Sequence, residues 1–249
     1  MAETSQPERI LLKISGEGFS GQGSSGIDAT ELDTIAREIA NAATQNVELA
    51  VVVGGGNILR GADLSRRLQI DQSTADYMGM LATVMNGMAL KEALERLGQP
   101  ARVMSAINMP AISEPFIRKR ATRHLEKGRV IILVAGTGNP FFTTDTCASL
   151  RAIELNCTRL LKATKVDGVY SSDPTKNADA VRYDQISFSQ AVEDRLGVMD
   201  LTALSMCMEH NLPIVVFDFK EPGNIRRVVG GETIGTIVTN STTAAADAH

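Results

Sequence analysis

The sequence predicts an α/β fold, a three-layer α/β/α sandwich around a mostly parallel central sheet. Short apolar segments rich in β-branched residues alternate with longer segments of helical periodicity. Because most connections are long enough to hold a helix, we expect the strands to join through right-handed β-α-β crossovers. The seven predicted strands are residues 10–14, 49–53, 102–105, 130–135, 159–163, 214–217 and 236–238.

Two helices follow from the residue pattern. Asp28 and Glu31 form a start of the capping-box type, and Ile35 and Ile39 then fall on one apolar face. Residues 74–97 are helical in propensity and mix small residues with methionines and leucines. Such a helix can pack closely on both sides, so it is either an interior helix or part of a subunit interface.

The length and composition suit one domain. A chain of 249 residues that is 43% hydrophobic can form a single large α/β core. We expect this domain to span 9–239, after a flexible N-terminus at 1–8 and before a disordered tail at 240–249.

The charge and apolar pattern exclude several classes of protein. A net charge of −4 argues against non-specific binding to nucleic acid or to an acidic membrane surface. The N-terminus lacks a signal-peptide pattern, and no apolar run approaches the roughly 20 residues that span a bilayer. We therefore expect a cytoplasmic protein without a membrane partner. Three cysteines without a Cys-x-x-Cys pair favour neither a disulfide framework nor a zinc site, and buried apolar positions are the preferred interpretation.

Three turns that contain glycine follow predicted strands. They are residues 13–16, the Gly54-Gly55-Gly56-Asn57 turn, and the segment 134–146, which contains two glycines, a proline and four threonines. The unpaired N–H groups at a helix start carry the positive end of the helix dipole and suit an anionic ligand. Three such turns on one sheet indicate a nucleotide enzyme.

Two common nucleotide motifs do not account for these turns. Residues 16–21 match G-x-G-x-x-G, but a loop rich in glycine and serine follows instead of a helix. The second strand also closes with Gly54 rather than with the acidic residue of a dinucleotide site. The sequence contains no Walker A motif, so this is not a P-loop kinase.

The motifs together resemble those of the amino acid kinase superfamily and, within it, the bacterial UMP kinases. The resemblance covers about residues 9–239, with the motifs in the order found in the family. The matching segments are Lys13-Ile-Ser-Gly16, residues 53–57 with Arg60-Gly61, residues 78–87, residues 135–144, and residues 162–170 with Asp173-Pro174.

This resemblance implies transfer of the γ-phosphoryl group of ATP to UMP, with Mg²⁺ accompanying ATP. Lys13 and Arg60 are the implied catalytic residues, since phosphoryl transfer requires charge neutralisation and positioning. A nucleotide phosphate is mostly dianionic at neutral pH and needs no strong general base. The implied ATP-binding residues are Lys13, Ile14, Ser15, Gly16, Gly56, Arg60, Thr164, Tyr170 and Asp173. The implied UMP-binding residues are Gly55, Asp76, Thr137, Gly138, Asn139, Pro140, Phe141, Phe142, Thr143 and Thr144.

The resemblance also implies a homohexamer under allosteric control, with GTP as activator and UTP as inhibitor. The loop that aligns with the activator segment consists of Gly21, Gln22, Gly23, Ser24, Ser25 and Gly26. The sequence offers no dedicated carboxylate cluster for magnesium, so the ligands of that ion stay unassigned.

Several residues also have a purely structural interpretation. Lys13 could extend its ammonium from a strand end to solvent, and Arg60 could form a surface salt bridge. Asp76 lies where a helix N-cap is expected. Asp145 does too, and capping explains it about as well as magnesium binding or active-site organisation does. Asp200 begins another helix, where a cap alone would account for it, and it is not assigned to catalysis.

Two other functions stay open. A kinase of the same superfamily acting on an amino acid or carbamate would share Lys13 but need a different acceptor pocket. A nucleotide sensor or oxyanion-storage shell would need no phosphoryl-transfer lysine, yet Lys13 and its glycines are present.

Overall fold

The protein is described here from a computed structural model, which covers residues 6–21, 23–59, 69–174, 176–177 and 179–240. The strands are β1 (Glu8–Ile14), β2 (Val47–Val53), β3 (Ala101–Ser105), β4 (Glu114–Pro115), β5 (Val130–Val134), β6 (Arg159–Thr164), β7 (Val169–Tyr170), β8 (Arg182–Tyr183), β9 (Gln185–Ser187), β10 (Ile214–Asp218) and β11 (Thr236–Thr239). The helices are α1 (Ala29–Ala43), α2 (Gln72–Arg96), α3 (Arg118–Leu125), α4 (Thr144–Glu154), α5 (Phe188–Glu193), α6 (Leu201–Glu209) and α7 (Asn224–Val229).

A nine-stranded sheet forms the centre, in the order β4-β3-β5-β2-β1-β6-β10-β11-β9. Its neighbours pair in parallel except β10 and β11, which are antiparallel. All seven predicted strands are present, and the mostly parallel sheet is confirmed. The strands β7 and β8 form a separate antiparallel hairpin that the sequence pattern did not predict.

The helices cover both faces of the sheet. Alternating side chains of β1 point to opposite faces, since Ile10, Leu12 and Ile14 belong to one apolar cluster and Leu11 to the other. The first cluster packs against α1, α2 and α7, and the second against α3, α4, α5 and α6. The three-layer prediction is therefore confirmed.

The two predicted helices begin close to where they were expected. Asp28 caps α1, because its Oδ1 accepts hydrogen bonds from the N–H groups of Thr30 and Glu31 at 2.8 and 3.0 Å. Helix α2 begins at Gln72, two residues before the predicted start, and Asp71 caps it. Its exposed side carries Tyr77, Leu81, Met85 and Met88. The subunit-interface interpretation of this helix stays a prediction.

The remaining sequence-based expectations on the chain as a whole are tested only in part. The first strand begins at Glu8, whose register partner is Val47. The predicted domain bounds of 9 and 239 stay a prediction. Cys147, Cys157 and Cys207 are free and buried, as expected. In the part of the chain that the structure describes, no helix combines the length and the apolar character that a membrane crossing requires.

Candidate active site

A cleft lies where β1, β2 and β5 end, and it encloses about 290 Å³. The carboxyl ends of parallel strands are where α/β sheets place their ligand sites. The predicted site residues that line this cleft are Ser15, Gly16, Gly55, Gly56, Asp76, Thr137, Phe142, Thr143 and Thr144. Most of the residues expected to meet phosphate groups therefore converge on one cavity.

The glycines at this edge let the backbones after β1 and β2 approach each other. A Cβ on Gly16 would lie 2.3 Å from Gly56 N, and a Cβ on Gly54 would lie 2.5 Å from Gly16 N. Gly54 N also donates a hydrogen bond to Ile14 O at 2.9 Å. Only Gly56 of the three consecutive glycines has open space around its Cβ position. Gly16 and Gly54 are therefore required by backbone packing, while Gly56 faces free volume.

The loop between β5 and α4 contains several left-handed residues. Ala135, Gly136, Gly138 and Phe141 have φ angles of 61°, 55°, 81° and 70°. Alanine and phenylalanine rarely adopt this region, and the structure holds them there by hydrogen bonds. Ala135 N donates to Thr83 Oγ1 at 2.7 Å, and Phe141 N donates to an Asp76 oxygen at 2.8 Å. The loop is thus fixed against α2.

Asp76 holds this loop and does not cap a helix. It lies inside α2, where its Oδ1 accepts a hydrogen bond from Gln72 Nε2 at 2.7 Å and its Oδ2 accepts one from Phe141 N. The N-cap of α2 is Asp71. The N-cap interpretation of Asp76 is therefore wrong, and its carboxylate lines the cleft instead.

Thr143 is the N-cap of α4. Its Oγ1 accepts hydrogen bonds from the N–H groups of Asp145 and Thr146 at 3.0 and 3.2 Å. The N-cap interpretation of Asp145 is therefore wrong. Asp200 does cap α6 through Ala203 N, but its other oxygen accepts hydrogen bonds from the hydroxyls of Thr143 and Thr146. Asp200 thus joins the starts of α4 and α6, which the cap-only interpretation missed.

Asp145 lies between two lysines on neighbouring strands. Lys13 and Lys162 face each other in the parallel register of β1 and β6. Lys13 Nζ lies 2.8 Å from Asp145 Oδ1, and Lys162 Nζ lies 2.9 Å from Asp145 Oδ2. Lys13 is only 6% exposed, so it does not extend to solvent from a strand end. We name these three residues the lysine–aspartate cluster.

The cluster carries one surplus positive charge. Burial would raise the pKa of Asp145, but the charges of Lys13 and Lys162 outweigh burial and hold that pKa below its ordinary value. Burial lowers the pKa of Lys162, and Asp145 counteracts this only in part. Two ammonium groups share one carboxylate, so the site favours an additional anion.

A second cleft of about 420 Å³ is lined by residues of β6 and β7, including Lys162. Thr164, Tyr170 and Asp173 line it, so the three residues predicted for the nucleoside of ATP do lie together. Tyr170 donates its hydroxyl to Asp167 Oδ1 at 2.7 Å, and this hydrogen bond raises the pKa of Tyr170. The lysine–aspartate cluster adjoins both clefts, since Lys162 lines the second and Asp145 directly follows Thr144, which lines the first.

Other predicted site residues lie outside the two clefts. Ile14 has its side chain in the apolar core, which leaves only its backbone for a ligand. Gly138, Asn139, Pro140 and Phe141 lie on the loop after β5 but not in the wall of the first cleft. Arg60 and Gln22 lie outside the described residues.

The loop predicted to bind the activator, residues 21–26, is hydrogen-bonded to the Gly54-Gly55-Gly56-Asn57 turn. We name these two segments the effector loop and the tri-glycine turn. Gly26 N donates to Asn57 O at 2.8 Å, and Asn57 Nδ2 donates back to Gly26 O at 2.9 Å. Asn57 also exchanges side-chain hydrogen bonds with the fully buried Asn86, which in turn donates to Gly54 O at 2.8 Å. Gly21, Gly23, Ser24 and Ser25 belong to the same loop.

The described residues provide no cluster of three or more His, Cys, Asp or Glu side chains that could hold a metal ion. Both oxygens of Asp145 already face lysines. A magnesium ion that enters with a nucleotide would therefore take its ligands from the phosphate groups and water, which is common for this ion. The donor set is compatible with magnesium delivered by the substrate.

Sequence reasoning missed the role of Lys162 in the cluster and left Asp145 open between a helix cap and a role in the active site. Lys162 interrupts an apolar strand just as Lys13 does, and that shared feature was the available signal. The pairing of both lysines with Asp145 depends on how the loop after β5 places the start of α4.

Comparison with known proteins agrees with this architecture. The model of the amino acid kinase family matches residues 8–218. A UMP kinase from Bacillus anthracis is 38% identical, with a TM-score of 0.92 over 95% of this chain and 98% of that one. A UMP kinase from Ureaplasma parvum is 39% identical, with a TM-score of 0.89 over 94% and 99% of the two chains. A uridylate kinase from Archaeoglobus fulgidus is 31% identical, with a TM-score of 0.72 over 92% and 99%. Sequence and fold thus agree, and this chain belongs to the amino acid kinase family.

Proposed function

We propose that this protein is a UMP kinase, which transfers the γ-phosphoryl group of ATP to UMP and forms UDP and ADP for pyrimidine nucleotide synthesis. The lysine–aspartate cluster between the two clefts is the observation that carries the proposal. It provides a buried positive charge at the point where two phosphate chains would meet. The similarity to UMP kinases over nearly the full chain favours UMP as acceptor.

The second cleft is the proposed donor site. Tyr170 offers an aromatic face for a base, while Thr164 and Asp173 offer polar groups to a nucleoside. Lys162 lines this cleft and belongs to the cluster, so a nucleotide bound there would bring its phosphates to the cluster. Ser15, Gly16 and Gly56 would then receive the phosphates with backbone N–H groups. Ile14 and Arg60 complete the proposed ATP-binding set.

The first cleft is the proposed acceptor site. Asp76 has two hydrogen-bonded oxygens with lone pairs left for ribose hydroxyls, and Gly55 lines the same cleft. The start of α4 presents the N–H group of Thr144 and the positive end of the helix dipole to a phosphate, while Thr143 caps the next two N–H groups. The remaining proposed UMP-binding residues belong to the loop between β5 and α4. They are Thr137, Gly138, Asn139, Pro140, Phe141, Phe142 and Thr143.

The reaction would proceed by in-line transfer. An oxygen of the UMP phosphate attacks the γ-phosphorus of ATP, and the bond from that phosphorus to the β,γ-bridging oxygen breaks. Lys13 neutralises charge on the transferred group, and Asp145 orients Lys13. The attacking oxygen is already ionised, so the site needs no histidine base. Magnesium that accompanies ATP would supply further charge neutralisation.

We also propose a cytoplasmic homohexamer that GTP activates and UTP inhibits. The sequence resemblance is the basis for these properties. The exposed apolar side of α2 is a suitable assembly surface. The attachment of Gly26 to Asn57 would let the effector loop influence the tri-glycine turn.

The test is ADP release with ATP and Mg²⁺ against UMP, CMP, dTMP, AMP, aspartate and acetylglutamate. We expect activity with UMP and far less with the other acceptors. Activity confined to an amino acid would overturn the acceptor assignment and leave the donor site in place. The absence of activity with every acceptor would favour the sensor or storage interpretation. Repeating the assay with GTP or UTP tests the proposed regulation.

A further inference from the structure

The hydroxyl of Thr236 connects β11 to both strands of the β7–β8 hairpin. Thr236 is fully buried at the start of β11. Its Oγ1 accepts a hydrogen bond from Val169 N at 2.8 Å and donates one to Tyr183 O. Val169 and Tyr183 face each other across the hairpin, so one side-chain oxygen satisfies a backbone group of each strand.

The neighbouring glycines leave room for this contact. A Cβ on Gly168 would lie 2.6 Å from Thr236 Oγ1. Gly235, directly before Thr236, has a φ of 81°, and a Cβ there would lie 2.0 Å from Val216 O. A side chain at Gly168 would push the hairpin away from β11, and one at Gly235 would displace the entry into the strand. Both glycines are thus placed to bring the Thr236 hydroxyl against the hairpin.

The hairpin has other attachments, but they reach less of it. Each of its strands has two residues, and an isolated two-stranded hairpin is marginally stable. Ile237 N donates to Asp184 O at 3.0 Å, directly after β8, and the Val169 side chain packs into the second apolar cluster. Arg182 also forms an ion pair with Asp167 at 3.1 Å, but the two side chains are 37% and 55% exposed, and exposed ion pairs contribute little to stability. The Thr236 hydroxyl bonds a backbone group of each strand, so it ties both strands of the hairpin to β11.

The hairpin carries the aromatic side chain of the second cleft. Tyr170 directly follows Val169, the residue that Thr236 holds, and Tyr170 lines the cleft. Thr236 itself does not line that cleft. We infer that Thr236 is a positioning residue for the nucleotide donor: it fixes the β7–β8 hairpin so that Tyr170 meets the base. This inference rests on the proposed function, because the second cleft is the proposed ATP site.

Thr236→Val tests the inference, because valine keeps the shape of threonine but leaves Val169 N–H and Tyr183 C=O without their partner. We expect the KM for ATP to rise about tenfold, while the KM for UMP stays near the wild-type value. Thr236→Ser retains the hydroxyl and should restore the KM for ATP. The matched control is Ser149→Ala, which also removes a fully buried hydroxyl. The Ser149 hydroxyl donates to Ala203 O at a distance of 3.2 Å and does not contact the hairpin.

Hydrogen exchange of the Val169 amide gives a readout that does not depend on activity. We expect faster exchange at Val169 in Thr236→Val than in the wild type, Thr236→Ser or Ser149→Ala. Unchanged exchange at Val169 would overturn the inference whatever the activity of the enzyme. Equal increases in both KM values, in Thr236→Val and Ser149→Ala alike, would also overturn it by indicating general destabilisation. A wild-type protein that does not phosphorylate UMP would instead contradict the proposed function, and the exchange experiment would still decide the role of Thr236.

Discussion

Replacing Gly56 by alanine separates what the ligand requires from what the fold requires in the tri-glycine turn. A Cβ on Gly56 meets no heavy atom within 4 Å, whereas a Cβ on Gly55 would lie 2.8 Å from Gly79 O. The backbone of Gly56 also lies outside the left-handed region of positive φ that favours glycine. The folded chain can therefore accept a methyl group at Gly56, although that methyl would occupy space beside the first cleft.

The expected magnitudes differ for folding and for catalysis. Alanine restricts the unfolded chain more than glycine does, so the free energy of unfolding should be unchanged or higher by about 0.4–1 kcal/mol. A misplacement of reacting groups by about 1 Å costs roughly 100-fold in rate. If phosphates lie against Gly56, the kcat/KM for ATP should fall about 100-fold, which corresponds to about 2.7 kcal/mol of transition-state stabilisation.

Urea unfolding and steady-state kinetics measure the two effects separately. Gly54→Ala serves as the comparison, because its Cβ would lie 2.5 Å from Gly16 N and should destabilise the protein. A Gly56→Ala protein with wild-type ATP kinetics would refute the placement of phosphate at this turn. A loss of stability as large as that of Gly54→Ala would refute the packing argument.

Three further predictions concern the charged and thiol groups. Lys13→Ala should lower kcat by about 100-fold or more, while calorimetry should still detect UMP binding. The control variant Lys91→Ala, which removes a lysine that pairs with Glu95, should keep the wild-type kcat. Since Lys13 and Lys162 outweigh burial and lower the Asp145 pKa, ionised Asp145 stabilises the protein above the ordinary aspartate pKa of about 3.9. This stabilisation is lost as pH falls through the lowered pKa, and acid unfolding of Asp145→Asn should lack that component. Burial raises the pKa of the cysteine thiols, to about 11 for Cys147 and Cys207 and about 12 for Cys157. Few thiolates therefore form at pH 8, and mass spectrometry should find the cysteines unmodified by iodoacetamide until urea unfolds the protein.

The main strands could be predicted because burial on both faces of a parallel sheet demands long apolar runs. Such runs occur in β1, β2 and β5, and each lies within a residue or two of its predicted bounds. The edge strand β4 has two residues and β9 has three, so neither contains enough of a pattern to detect. Their positions depend on the neighbouring strand that offers free hydrogen-bonding groups.

The helix starts show a different limit of sequence reasoning. Asp71 and Asp76 lie five positions apart, and either could cap a helix that contains the same apolar residues. Thr143 and Asp145 present the same choice at α4. The structure places Thr143 at the cap and leaves Asp145 inside the first turn, where it can reach the two lysines. This choice depends on tertiary contacts with β1 and β6, which no local pattern contains.

The residues that line the clefts were easier to predict than their partners. Glycine and hydroxyl residues that follow strands lie at the same edge of a parallel sheet, so Gly16, Gly56 and Thr144 could be placed together before the structure was known. The attachment of the hairpin by Thr236 could not be predicted. It joins positions 67 residues apart in the sequence, and threonine in a strand is common for reasons of backbone preference alone.

The lysine–aspartate cluster explains how one arrangement can serve both folding and binding. Two buried ammonium groups without a counter-ion would be strongly unfavourable, and Asp145 makes their burial possible. A second carboxylate would complete the neutralisation and remove the attraction for a phosphate. With Asp145 shared between the two lysines, burial and the neighbouring Lys13 lower the pKa of Lys162 more than Asp145 and the nearby Asp200 raise it. A phosphate group that enters between the clefts would supply the missing negative charge. The unfavourable burial of the second ammonium group is then relieved on binding, and this relief contributes to the binding free energy of the nucleotide.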